Sequence, residues 1–303
     1  MKEKKGKHIK SLARTFAKPR TQAQVMSKAM FNSNRLASLG TSLSYEGSLT
    51  LVANWLHKTG RGSLIEISPK AAKVFLAERA KTVSQKTLDR DRQALQALLR
   101  HTGRFHEAGR LSVIQAERQQ VLLSRNYSAD QVQRIIECQT DRNGFSTELA
   151  YEAGLRAHEL LTILPAAERP MSDRPADPEK FRDGVRYTVV GKGGLIREVS
   201  IPQPLALRLE TMRLSEPASR VDRRIHYTSH YDIAGGQAWS QSVSEASFRA
   251  LGFSNGAHGI RHSYAQDRYR ELQMHLGSID RAKQIVSQEL GHFRPEITDT
   301  YLR

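Results

Sequence analysis

The chain has 303 residues, with 47 Lys and Arg against 31 Asp and Glu, for a formal net charge of +16. Hydrophobic residues make up 39% of it, enough to build buried cores at a length that suits two ordinary domains. Mean hydropathy is −0.54, and the absence of any run of about 18 apolar residues excludes a transmembrane helix. The basic start, Met1-Lys2-Glu3-Lys4-Lys5, has no apolar stretch behind it and does not read as a secretory signal. A single cysteine, Cys138, excludes a disulfide within the chain and a thiolate metal cluster, and fits a reducing cytosol. A positive surplus of this size must lie mostly on the surface, where it attracts phosphate polymers. Charge alone equally fits a merely soluble basic protein.

Residues 1–40 read as a basic N-terminal arm. Ten Lys or Arg up to Arg35 face one acid, Glu3, and apolar periodicity is weak, with one helix near residues 22–39. Residues 41–124 read as a small helical domain. Leu49, Val52, Ala53 and Leu56 recur at helical spacing until Gly60-Arg61-Gly62. Ser68-Pro69 reads as an N-cap with Pro at the first helical position, ahead of Ala72, Phe75 and Leu76. A third helix starts near Ser84 or Thr87 and buries Leu88, Ala94, Leu95, Leu98 and Leu99. Its other face carries Lys86, Arg90, Arg92 and Arg100, which are either DNA-phosphate contacts or an ordinary solvated face.

Residues 125–303 form a second domain. A helix begins at Ser128 and is expected to break at Asn143-Gly144; residues 147–153 then run as a helix into Gly154. A further helix is expected from Arg156 through Leu160, Leu161, Ile163 and Leu164. Residues 166–184, rich in Pro, Asp, Arg and Glu, read as a loop or insertion. Residues 185–190 and 196–201 alternate with period two around Gly191-Lys192-Gly193-Gly194 and form a β-hairpin. Helices follow near residues 205–214, 243–251, 259–273 and 281–290, while 215–240 show no clear pattern. The fold class is therefore mainly α with a small β-sheet (α+β) in the second domain, preceded by a separate all-α domain.

Five short stretches carry chemistry together: Gly154-Leu155-Arg156-Ala157-His158-Glu159-Leu160, the Lys192 turn, His258-Gly259-Ile260-Arg261-His262, Leu290-Gly291-His292 and Thr298-Asp299-Thr300-Tyr301. Two arginines offer permanently charged forks for phosphate oxygens and for the added charge of a pentavalent transition state. A tyrosine hydroxyl is a nucleophile once a base takes its proton, and histidine can supply that base. A lysine on a turn can protonate a leaving oxygen. His258 and His262 stand four apart, a helical metal spacing, but they lack the accompanying Glu and an obvious third ligand, so no metal is expected.

In order and spacing these stretches resemble the tyrosine recombinases, the phage-type integrases and their relatives. That family has an Arg in a Gly-Leu-Arg-x-x-Glu-Leu stretch, a Lys on a β-turn, His-x-x-Arg, Leu-Gly-His, and a Tyr nine residues after that last His. Arg156 and Glu159, Lys192, His258 and Arg261, and His292 and Tyr301 match in turn, over about residues 128–303. The resemblance implies that Tyr301 attacks a phosphate to form a 3′-phosphotyrosyl link, with Arg156 and Arg261 as clamp and Lys192 as general acid. It implies His258 as acid/base, His292 as a hydrogen bond to the phosphate, and Glu159 as an orienting group. No cofactor is implied. The implied partners are double-stranded DNA at specific sites, further protomers in a dimer to tetramer synapse, and an accessory directionality protein. The implied location is cytoplasmic and nucleoid-associated, away from membranes. The helical domain would close over the DNA as the second half of a clamp.

Ile260 stands where the family more often has Leu. Much of the family carries a further helix after the tyrosine that docks into a neighbouring protomer. Only Leu302 and Arg303 follow Tyr301 here, so assembly is expected to use other surfaces, or to be weak, or the protein cuts without cyclic exchange. Tyr301 is expected to be mobile before DNA binds. Three other readings compete: a catalytically silent DNA-binding regulator on the same fold, a type IB topoisomerase-like relaxing enzyme, and an RNA-binding protein with coincidental motifs.

Overall fold

The computed structural model describes residues 17–119, 123–172 and 177–303. These fall into two compact units that divide between residues 121 and 122. The described part of the first unit is all helical: α1 (Pro19–Asn32), α2 (Leu39–Thr59), α3 (Pro69–Ala80) and α4 (Gln85–His101), with a 3-10 turn at Leu64–Glu66. The sequence signals at the helix ends act as expected. Ser68 Oγ accepts from the Ala71 amide at 3.1 Å with Pro69 in the first position, and Gly60 closes α2. Leu88, Leu95, Leu98 and Leu99 of α4 are fully buried, each stabilising by about 1.5–3 kcal/mol. Asp91 on the same helix is also buried. It accepts from Ser48 Oγ at 2.6 Å and from Arg79 Nε and Nη2 at 3.2 Å each, so its charge is paired.

One expectation for this unit is corrected. Residues 19–40 are not an arm. Ala23, Met26 and Met30 are buried, and Ser27 Oγ donates to the Ser42 carbonyl at 2.6 Å, which fastens α1 to α2. Residues 1–16, the rest of the expected arm, lie outside the described residues. The basic face of α4 divides in two. Lys86 and Arg90 are exposed. Arg92 and Arg100 instead turn onto the segment after the helix, donating to the carbonyls of Leu111 (3.4 Å) and Gly109 (2.7 Å).

The second unit opens with α5 (Ala129–Glu137), whose Ser128 and Gln131 form a reciprocal capping box. It continues with α6 (Asp141–Glu152). The expected break at Asn143-Gly144 is absent. The chain turns before Asp141, and Gly144 lies inside α6 against Ile136, whose Cγ2 a Cβ would approach to 3.2 Å. No helix runs from Arg156 to Leu164 either. A 3-10 turn at Glu159–Thr162 leads into a short strand, β1 (Leu164–Pro165). Leu160, Leu161, Ile163 and Leu164 are all buried, so their spacing could not distinguish helix from turn and strand. Pro165 also disfavours helical backbone at Leu164.

The hairpin appears as read: β2 (Val185–Val190) and β3 (Ile196–Ile201) pair antiparallel from Val185 with Ile201 to Val190 with Ile196. β1 lies on the other edge of β2, giving the order β1-β2-β3. After α7 (Gln203–Thr211) comes a second hairpin, β4 (Arg213–Asp222) and β5 (Ile225–Tyr231), in the stretch that carried no clear pattern. Then follow α8 (Gly236–Leu251), α9 (Ala257–Leu276), α10 (Ile279–Glu289) and the short α11 (Pro295–Thr298). The described part of segment 166–184 is fastened down rather than loose. Arg169 Nε donates to Thr188 Oγ1 at 2.9 Å, and Arg182 bridges Glu152 (3.3 Å) and Glu271 (3.0 Å). Among the described residues no helix is long and apolar enough to cross a membrane.

Candidate active site

His258, Arg261 and His262 occupy positions i, i+3 and i+4 near the start of α9, so one helix face presents all three. Tyr301 meets that face. Its ring centroid lies 4.6 Å from that of His262, 5.5 Å from His258 and 5.1 Å from His292, and Arg261 Cζ is 5.7 Å from it. The tyrosine is 6% exposed and held by its backbone: Gln266 Nε2 donates to the carbonyls of Tyr301 (3.1 Å) and Arg303 (2.8 Å). Tyr301, expected to be mobile before DNA binds, is packed on α9 in this structure.

The Tyr301 hydroxyl lies 3.4 Å from His292 Nε2, and Arg156 Nη2 lies 3.0 Å from the same nitrogen. Arginine only donates, so Nε2 is the accepting nitrogen and Nδ1 carries the proton. Both the guanidinium and the phenol then donate to one lone pair. The histidines are neutral at pH 7. Burial first, then Arg261 and Arg156, brings His292 down to about 3. The same burial, then Arg261 and His262, brings His258 to about 4. Burial also brings His262 to about 4, partly offset by a hydrogen bond to the Tyr301 main chain.

Glu159 lies beneath the arginines and is fully buried. Its carboxylate meets Arg156 Nη1 at 2.6 Å, Arg197 Nη2 at 2.7 Å and Arg261 Nη1 at 3.7 Å. Burial alone would raise its pKa, but Arg197, Arg261 and Arg156 overcome this and hold it well below the usual carboxylate range. Arg261 donates to the carbonyls of Gly154 and Leu290. Burial and then Arg156 bring it down to about 10, so it stays charged at pH 7. Among the described residues its Nε has no partner. The two arginines thus differ in access: the Arg156 side chain is 22% exposed and that of Arg261 1%. Gly154 (φ +59°) turns its carbonyl to Arg261 in a conformation and a space that suit glycine, since a Cβ would come within 2.6 Å of Tyr264. Gly291 (φ +68°) also suits only glycine, since a Cβ there would collide with Arg197 Cδ.

No family model and no curated protein matches the sequence. Solved structures do match in three dimensions. XerH site-specific recombinase, bound to palindromic difH substrate in a post-cleavage complex, matches with a TM-score of 0.57 at 16% identity, over 94% of this chain and 81% of that one. A lambda integrase dimer bound to a COC′ core site matches with a TM-score of 0.58 at 15% identity, over 91% and 75%. The Tn1549 transposon integrase, in complex with transposon right end DNA, matches with a TM-score of 0.54 at 14% identity, over 93% and 94%. The fold is that of the tyrosine recombinases.

On this recombinase fold, Arg156, Arg261, His258, His292 and Tyr301 come together, with Glu159 below them. Lys192 stands on the turn between β2 and β3. Lys86 and Arg90 belong to the other unit. Among the described residues, no group of three or more His, Cys, Asp or Glu is placed to hold a metal ion. Sequence reasoning missed Arg197 and Gln266, and it weighed His262 only as half of a metal pair. The signal for Arg197 was parity: it stands two and four residues before Val199 and Ile201 on β3, and all three are buried.

Proposed function

We propose that this chain is a site-specific DNA recombinase that cuts and rejoins strands through a 3′-phosphotyrosyl intermediate. The observation that carries the reading is the meeting of Tyr301 and Arg156 at His292 Nε2, above a carboxylate shared by three arginines. A phosphodiester entering here draws the more open Arg156 fork from His292 onto its oxygens. Arg261 adds its charge from beneath. The Tyr301 oxygen attacks phosphorus while its proton passes to a neutral imidazole; His292 is the one in hydroxyl contact, and His258 is next to the ring. The bond to the 5′ oxygen breaks, and Lys192 supplies that oxygen's proton. A 5′-hydroxyl from a second duplex reverses the step with exchanged strands. The ester retains the bond energy, so the step needs neither ATP nor a metal.

In this reading the first unit closes on the DNA, with Lys86 and Arg90 at phosphates, and protomers assemble on DNA as a dimer or tetramer. An accessory protein sets direction. The test is a nicked duplex from the flanks of the gene, incubated in EDTA with the wild type and with Tyr301→Phe. A covalent protein–DNA species formed only by the wild type is expected. Tight binding with no adduct from either would favour the silent DNA-binding regulator, and relaxation of supercoils without exchange would favour the topoisomerase-like reading.

A further inference from the structure

The second hairpin closes with Asp222 paired to Ile225, which leaves Arg223 and Arg224 as a two-residue turn. Their φ angles are +47° and +66°. A hairpin turn with both central residues in the left-handed region favours Asn-Gly or Asp-Gly. Arginine has a Cβ and lacks the short polar side chain that eases this conformation for Asn or Asp. The backbone gains nothing from arginine here. What arginine adds is two permanent charges on two exposed side chains.

The tip is held beside the site. Asp222, buried just before it, accepts from the Gln237 amide at 2.8 Å. Gly236 packs so closely on the Asp222 carboxylate that a Cβ would lie 2.8 Å from its Cγ. The Gly236 amide in turn donates to the carbonyl of Ala157 at 2.7 Å, and Ala157 follows Arg156. Asp222 also receives Arg223 Nε at 3.1 Å, which steadies the base of that guanidinium. Further down the hairpin the Tyr227 and His158 rings are 6.4 Å apart, and Ser229 Oγ donates to the Leu161 carbonyl at 2.9 Å. His158 also senses the tip: burial lowers its pKa, Glu159 opposes this, and Arg156 and Arg223 lower it further.

We propose that Arg223 and Arg224 form a second phosphate-binding site, which takes backbone phosphates of duplex DNA next to the one held by Arg156. The inference rests on the reading of the site as a DNA strand-transfer centre. Two planar forks on a strained, anchored turn can grip phosphate oxygens in pairs and fix the register of the duplex without reading its bases.

The double variant Arg223→Asn, Arg224→Gly gives the turn its favoured residues and removes both charges. Arg224→Gln removes one charge and leaves the rest of the turn as it is. The full chain is titrated onto a short random-sequence duplex between about 50 and about 200 mM salt. Loss of two phosphate contacts should reduce the slope of log K against log salt by about 1.8, and loss of one by about 0.9. Affinity at the lower salt should fall roughly tenfold for the double variant, with thermal stability equal to or above wild type. Unchanged slope and affinity in both variants, in a chain whose wild type still forms the Tyr301 adduct, would overturn this inference alone. A wild type that binds no duplex would overturn both this inference and the reading beneath it.

Discussion

Arg197 Nη2 lies 2.7 Å from Glu159 Oε2, and both side chains are closed off from solvent. Arg197 Nη1 also donates to the Glu289 carbonyl at 2.6 Å, so one planar fork joins β3, the Glu159 turn and the end of α10. Arg156 and Arg261 share the same carboxylate. One negative charge among three positive ones leaves a local positive surplus.

Glu159→Gln removes the charge that all three arginines share. Breaking a buried pair from one side costs about 3–5 kcal/mol, so a large fall in melting temperature is expected, together with loss of cleavage. Arg197→Lys should also destabilise, because a point charge cannot reach both the carboxylate and the Glu289 carbonyl. Thermal melts of the two variants check this; a wild-type melt for Glu159→Gln would contradict the shared-carboxylate account.

Stability should fall with acid in two stages. His258, His262 and His292 take up protons near 6.5 when unfolded, but chiefly burial lowers them to about 4, about 4 and about 3 in the fold. The unfolded chain therefore binds more protons between those values. Stability is complete above pH 6.5 and declines as pH falls below it. Glu159 acts at lower pH: its contribution is present above its ordinary value of 4.5 and is lost as pH falls beneath that. Melts across this range should show the first decline flattened in a His258→Gln, His292→Gln double variant.

His262 positions Tyr301 through a tilted ring whose centroid is 4.6 Å from the phenol and through a contact to its main chain. His262→Ala should slow single-turnover cleavage about 10- to 100-fold through misplacement of the hydroxyl, with DNA affinity unchanged. His262→Phe keeps a ring against the phenol and should recover part of the rate. A rate unaffected by His262→Ala would remove this residue from the positioning set.

Gly154→Ala should cost about 2–5 kcal/mol, from the left-handed backbone and the crowding against Tyr264. Because the Gly154 carbonyl also receives Arg261, cleavage should fall further than the melt alone accounts for. Comparing the two measurements at a temperature where the variant is folded separates the effects.

The sequence made some of this legible because its signals are local. Ser68-Pro69 caps a helix by chemistry within one turn, and the alternation from Val185 to Ile201 around glycines specifies a hairpin without outside help. The second hairpin was hidden because β4 is mostly exposed and its turn is Arg223-Arg224 where Asn-Gly would have marked it. Residues 160–164 misled because tertiary packing buries them on every side. Gly144 read as a breaker, yet it serves close packing on Ile136. Arg156, Glu159, His258, Arg261, His292 and Tyr301, singled out by type and spacing, meet in the fold. Arg197 and Gln266 were not singled out, because their partners, Glu159, Glu289 and the Tyr301 carbonyl, are remote in sequence and meet them only in the fold.

The central claim is that the Tyr301 hydroxyl is the group that joins DNA in the Arg156 and Arg261 pocket. The most direct test is to trap the covalent species on a nicked duplex, digest the protein, and identify the peptide attached to DNA. The account requires the peptide carrying Tyr301, linked through its oxygen to a 3′-phosphate, with a free 5′-hydroxyl on the released strand. A link through any other residue, or to a 5′-phosphate, would contradict it.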